Sequence, residues 1–100
     1  MSEYFPYIDS WQDLHDYYPT QSQQLQEIMG ERNLSQAVTL RHNLPADLID
    51  NELRPQVTVY DYVDALDSIA YWIETCNTYE ITTLTIEVQI GYEKNKIYFE

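Results

Sequence analysis

The sequence predicts an α+β fold: a small antiparallel sheet, made of a C-terminal hairpin and a third strand, packed against one long helix that follows short N-terminal helices. Three observations predict it. From Val59 to Cys76 the apolar residues Val59, Tyr62, Val63, Leu66, Ile69, Ala70, Ile73 and Cys76 recur every three or four positions, which is the period of a helix with one buried stripe. From Thr83 to Ile90, Leu84, Ile86, Val88 and Ile90 alternate with Thr83, Thr85, Glu87 and Gln89, the period of a strand with one buried face. Pro19 and Gly30 punctuate the region before them into pieces short enough for single helices.

Each element follows in chain order. Tyr4-Phe5-Pro6-Tyr7-Ile8 is aromatic and interrupted by proline, which suits an extended arm or an edge strand. Asp9 or Ser10 can cap a short helix that carries Trp11, Leu14 and Tyr18 on one side and ends at Pro19. Thr20 and Gln23 have the spacing of a capping box for a second helix, with Leu25, Ile28 and Met29 inward and Gly30 as its stop. Residues 34–42 fit neither period cleanly, so both helix and strand stay open there. A helix is expected from Pro45, presenting Leu48, Ile49 and Leu53 and closing at Arg54-Pro55.

The long helix is expected over Val59–Cys76, with Thr58 as N-cap and Asp61 in its first turn, where a carboxylate complements the helix dipole. Gly91 through Asn95 is expected to turn the hairpin, and Ile97 and Phe99 return on the apolar face. Two strands alone are marginal. A third is expected from the N-terminal arm or from residues 36–41. The whole of 1–100 reads as one compact domain, since 100 residues of which 44% are hydrophobic suffice for one core and not for two.

Charge excludes several functions. Seventeen acidic residues oppose five basic ones, for a formal net charge of −12. Direct binding of nucleic acid is excluded, because it requires Lys and Arg to displace counterions from phosphate. An anionic membrane surface is an equally poor partner, and no apolar run is long enough to span a bilayer. The single cysteine and the absence of a basic-then-apolar leader predict a cytoplasmic protein of the host cell, with the sequon at Asn33-Leu34-Ser35 a chance match.

The cations are unevenly placed. Residues 1–31 and 55–93 contain none, whereas Arg32, Arg41 and Arg54 lie mid-chain and Lys94 and Lys96 near the end. Two long segments thus carry uncompensated negative charge, whose self-repulsion works against a compact state.

The candidate site follows from helical geometry. Tyr60, Asp64, Asp67, Tyr71 and Glu74 fall within about 80° on the flank of the long helix opposite its apolar stripe. Asp64 and Asp67 are separated by about 4.5 Å along the axis, with Glu74 about 10 Å further. Such a row of carboxylates between aromatic rings can stand in for a phosphate row, since Arg forks accept both. Trp72 sits on the other flank near Asp61 and Ala65, as either core margin or interface anchor.

A second cluster, Asp13, His15, Asp16, Tyr17 and Tyr18, lies on the first helix. It lacks a further His or Cys at ligand spacing, and His42 stands alone, so no metal and no cofactor is expected. Cys76 falls on the apolar stripe, as a small buried hydrophobe does. No nucleophile arrangement and no phosphate-cradling loop is present, and catalysis is not expected.

The expected function is a small inhibitor that occupies the basic nucleic-acid site of a target, a nuclease or effector complex. Its charge balance is similar in physics, though not in motif, to that of the DNA-mimicking anti-restriction and anti-CRISPR proteins of phages and mobile elements. The partner-binding residues would be Tyr60, Asp61, Asp64, Asp67, Tyr71, Trp72 and Glu74, with Asp13 and Asp16. An immunity protein or antitoxin against a basic nuclease toxin would use the same electrostatics. An acidic assembly subunit, with its ten tyrosines serving a homodimer or larger oligomer, is the third alternative.

Overall fold

The structure is a computed structural model that describes residues 5–30, 37–45 and 55–100. These residues form three helices, α1 (Trp11–Tyr17), α2 (Pro19–Met29) and α3 (Tyr62–Thr78), and four strands, β1 (Val38–His42), β2 (Gln56–Val59), β3 (Leu84–Ile90) and β4 (Glu93–Phe99). The strands form one antiparallel sheet in the order β2-β1-β3-β4. The expected α+β class, with a small antiparallel sheet, is the class observed. The helix expected from Pro45 falls largely outside the described residues.

The described part of the N-terminal arm, residues 5–8, is not a strand. It is a packing segment whose Phe5 and Ile8 enter the core. Ser10 caps α1, its Oγ accepting the Asp13 N–H at 3.1 Å. Pro19 does not merely end α1 but opens α2, because its fixed φ and missing N–H suit the first helical turn. The expected capping box is therefore not used: Tyr18 is the N-cap, and no side chain caps that end. Gly30 closes α2 as foreseen, in the right-handed region.

Residues 38–42 resolve as strand, with Val38, Leu40 and His42 buried and Thr39 and Arg41 half-buried between them. The strand β2 corrects the expected start of the long helix. Val57-Thr58-Val59 is β-branched throughout, which favours a pleated surface, and Val59 is buried opposite Val38. Thr58 accordingly pairs with Thr39 and is not a cap. The N-cap is Asp61, extended at φ −148, ψ 171, with Oδ1 accepting the Asp64 N–H at 2.8 Å.

At its other end α3 closes on Tyr79, and the Ile81 N–H bonds back to the Cys76 carbonyl at 2.8 Å. This closure holds Glu80 at φ 59, a left-handed position that usually takes glycine. The hairpin turn is shorter than expected. Ile90 pairs with Glu93, leaving Gly91 and Tyr92 as a two-residue loop with Gly91 at φ 60. A positive φ at the first loop residue alone is the pattern of a II′ turn, whose twist matches that of the strands.

The helices cover one face of the sheet. The core joins Leu14, Tyr18, Leu25 and Met29 from α1 and α2 and Ala65, Leu66, Ile69, Trp72, Ile73 and Cys76 from α3 with the inward residues of the strands. Tyr18 meets Phe99 edge-on at 5.1 Å, and Trp72 meets His42 edge-on at 4.9 Å. His42 is satisfied in the core by its Nδ1, which accepts the Leu44 N–H at 3.0 Å. The other face is open and polar. Register places Gln56, Arg41, Glu87 and Lys96 in one row across it, and Thr58, Thr39, Gln89 and Lys94 in the next.

Candidate functional site: the outer face of α3

The core stripe of α3 is centred on Ala65, Ile69, Trp72 and Cys76. It is rotated by roughly 80° from the stripe read off the sequence, less than one residue step. Two assignments change as a result. Trp72, at 2% exposure, is core and is not an interface anchor. Val63, expected inward, is 65% exposed. The eight-residue apolar stripe was wider than the contact the sheet offers, so its margin had to face solvent. That width was the signal available in the sequence.

The opposite side of α3 presents Asp64, Asp67, Tyr71 and Glu74, all exposed, and Val63 lies beside them. Tyr60, in the bend before the helix rather than on it, is 64% exposed, and Tyr71 is 45% exposed. Among the described residues no cation lies within ion-pair distance of Asp64, Asp67 or Glu74. Asp61 is at the same end but its carboxylate is committed to the cap, so it joins the row as a structural member.

The α1 carboxylates lie on a separate helix that touches α3 at its first turn. Trp11 Nε1 donates to the Tyr62 carbonyl at 3.1 Å, and the two rings meet edge-on at 6.1 Å, so α1 is tied to the first turn of α3. Tyr62 in turn donates its hydroxyl to the Met29 carbonyl at 2.9 Å, locking the end of α2 into the same node. Asp16 is exposed and accepts from Gln12 at 2.8 Å, while half-buried Asp13 accepts the Asp9 N–H at 3.0 Å. These neutral donors hold the carboxylates without cancelling their charge. Tyr18 leaves the cluster for the core, and Tyr17 stays exposed.

The three described cations are all elsewhere. Arg41, Lys94 and Lys96 stand on the open face of the sheet, where Arg41 is bonded to Glu87 at 2.7 Å and to Gln56 at 2.6 Å. No described helix carries a Lys or Arg. The charge is thus segregated by layer, with a helical side that is acidic and a sheet side that holds the cations.

Two groups are held in their neutral forms by burial. Burial pushes the Tyr18 phenol from 10.0 to about 12, with the Cys76 thiol adding to it, and burial raises Cys76 from 9.0 to about 11. A thiol held protonated and enclosed is not a nucleophile at neutral pH. No group of three His, Cys, Asp or Glu among the described residues is arranged to hold a metal ion. No described helix is long and apolar enough to cross a membrane. No protein-family model matches the chain, and neither a curated protein nor a solved structure is significantly similar to it.

Proposed function

We propose that the protein is an inhibitor that presents the outer face of α3 to the cationic, nucleic-acid-binding surface of a target protein. The observation that carries this reading is the one-sidedness of the charge. Asp64, Asp67 and Glu74 stand exposed on one rigid helix with no described cation near them, and the described cations occupy the other layer. A single-sign field on one side accelerates encounter with an oppositely charged groove. It supplies little affinity unless apolar surface is buried as well, and Tyr60, Val63 and Tyr71 offer that surface between the carboxylates. Asp13 and Asp16 extend the field along α1. The action is binding, without catalysis, in the cytoplasm of the host cell.

The test is capture of target from host extract at low salt, followed by competition. A target held by this face is released by duplex nucleic acid and by rising ionic strength, since replacing several phosphate contacts makes binding steeply salt-dependent. The purified target then loses nucleic-acid binding one-for-one with added inhibitor. A partner that holds nucleic acid and this protein at the same time, or that stays bound in high salt, overturns the reading. A captured target that is a nuclease toxin identifies the immunity-protein form of the same mechanism.

A further inference from the structure

We propose that the outer edge of β4 is where two copies of this chain join, antiparallel, so that two four-stranded sheets become one continuous sheet. The backbone groups that such pairing needs point outward there. The Thr85 N–H donates to Asn43 Oδ1 at 2.9 Å, toward β1, so the Thr85–Tyr98 pair exchanges no ladder bonds. The N–H and C=O of Tyr98 therefore face away from β3. Consistent with this, the Tyr98 carbonyl accepts from Gln21 Nε2 of α2 at 2.7 Å. By the two-residue period, the backbone groups of Lys96 and Lys94 face outward as well.

Charge selects a second copy at this edge. A chain of net charge −12 repels its like, and the approach is least costly where the cations are. Lys94 and Lys96 lie on β4 itself, with Arg41 on the same sheet face. Side-chain matching then selects the register. Antiparallel pairing centred on Asn95 or on Lys96 sets lysine against lysine. Pairing centred on Ile97 sets Lys94 opposite Glu100 of the second copy, twice over, and Lys96 opposite Tyr98.

Beside this edge, α2 and β4 enclose an open cleft of about 170 Å³ lined by Gln24, Glu27, Ile28, Asn95, Lys96 and Ile97. In the register centred on Ile97 the two Ile97 residues face each other across the new seam by their backbones, their side chains already buried within their own chains. The Gln21–Tyr98 bond is given up in exchange for ladder bonds along the strand. Both α3 outer faces remain open in the pair.

Sedimentation of the full chain over a range of protein and salt concentrations tests this. The mass is expected to rise toward twice 11.9 kDa with protein concentration. It is expected to do so more readily in high salt, which screens the net repulsion. Lys94→Glu, which places Glu opposite Glu100, is expected to leave a monomer, and Lys94→Glu combined with Glu100→Lys to restore the dimer. Lys96→Pro removes an outward N–H and no β3–β4 ladder bond, so it is expected to give a folded monomer by circular dichroism. A wild-type mass that stays at 11.9 kDa throughout overturns the proposal and makes the lysines guards of a free edge. A dimer that persists unchanged in the folded Lys94→Glu and Lys96→Pro variants overturns it too.

Discussion

Phe5 and Asn77, far apart in the chain, are joined by the side-chain amide of Asn77, which binds both the N–H and the carbonyl of Phe5. The Phe5 N–H donates to Asn77 Oδ1 at 2.9 Å, and Asn77 Nδ2 donates to the Phe5 carbonyl at 2.8 Å. This amide clasp fastens the N-terminal arm to the last turn of α3 and seats the Phe5 ring, 1% exposed, in the core. Replacement of Asn77 by Ala leaves two partly buried backbone groups without that partner. It is expected to cost about 1–3 kcal/mol in denaturant unfolding. Asn77→Asp keeps the acceptor but sets a carboxylate oxygen against the Phe5 carbonyl in the last turn of α3, and should cost at least as much as Ala.

The outer face of α3 makes an opposite prediction. Asp64→Lys with Asp67→Lys is expected to abolish target capture and to leave the thermal midpoint nearly unchanged, because both side chains are exposed and make no ion pair among the described residues. A collapse of stability in place of binding would make these carboxylates structural.

The rotation of α3 can be read directly by truncation. Trp72→Ala empties a core site against His42 and should cost about 3–5 kcal/mol, and Leu66→Ala, at 8% exposure, about 2–5 kcal/mol. Val63→Ala should change stability by less than about 0.5 kcal/mol while weakening target capture. Equal losses at Trp72 and Val63 would contradict the observed phase.

Glu80 carries a local conflict that substitution should relieve. It sits at φ 59 just past the C-terminus of α3, where a side chain with a Cβ is strained and a negative charge opposes the helix dipole. Glu80→Gly is expected to raise stability by roughly 1 kcal/mol, measurable as a higher urea midpoint at unchanged slope.

Stability should fall on the alkaline side. Both raised groups are neutral acids, Cys76 at about 11 and Tyr18 at about 12 in the folded state. In the unfolded chain they lose their protons from their ordinary values of 9.0 and 10.0 upward, so the unfolded state then binds fewer protons than the folded one. Their contribution is complete below about pH 9 and is lost as pH rises toward 12. Urea titrations across this window check it, and Cys76→Ala should make the decline shallower.

Much of this was legible in sequence because it rests on short-range periodicity. The alternation from Leu84 to Ile90, the Ser10 cap, the stop at Gly30 and the exposed row Asp64, Asp67, Tyr71 and Glu74 all follow from side-chain spacing and local chemistry. Four things only the tertiary structure decided. Gln56–Val59 is a strand because Val38 and Leu40 offer it a partner, a contact no window of sequence contains. Trp72 is core and Val63 is surface because the sheet covers only part of an apolar stripe that is wider than the contact. Phe5 is fixed by Asn77, across the whole fold. Finally, the layering of charge depends on which face of the sheet the helices cover. The chain determined how much negative charge there is, and the packing of three helices on one side determined that the described carboxylates of α1 and α3 lie in a layer without a described Lys or Arg.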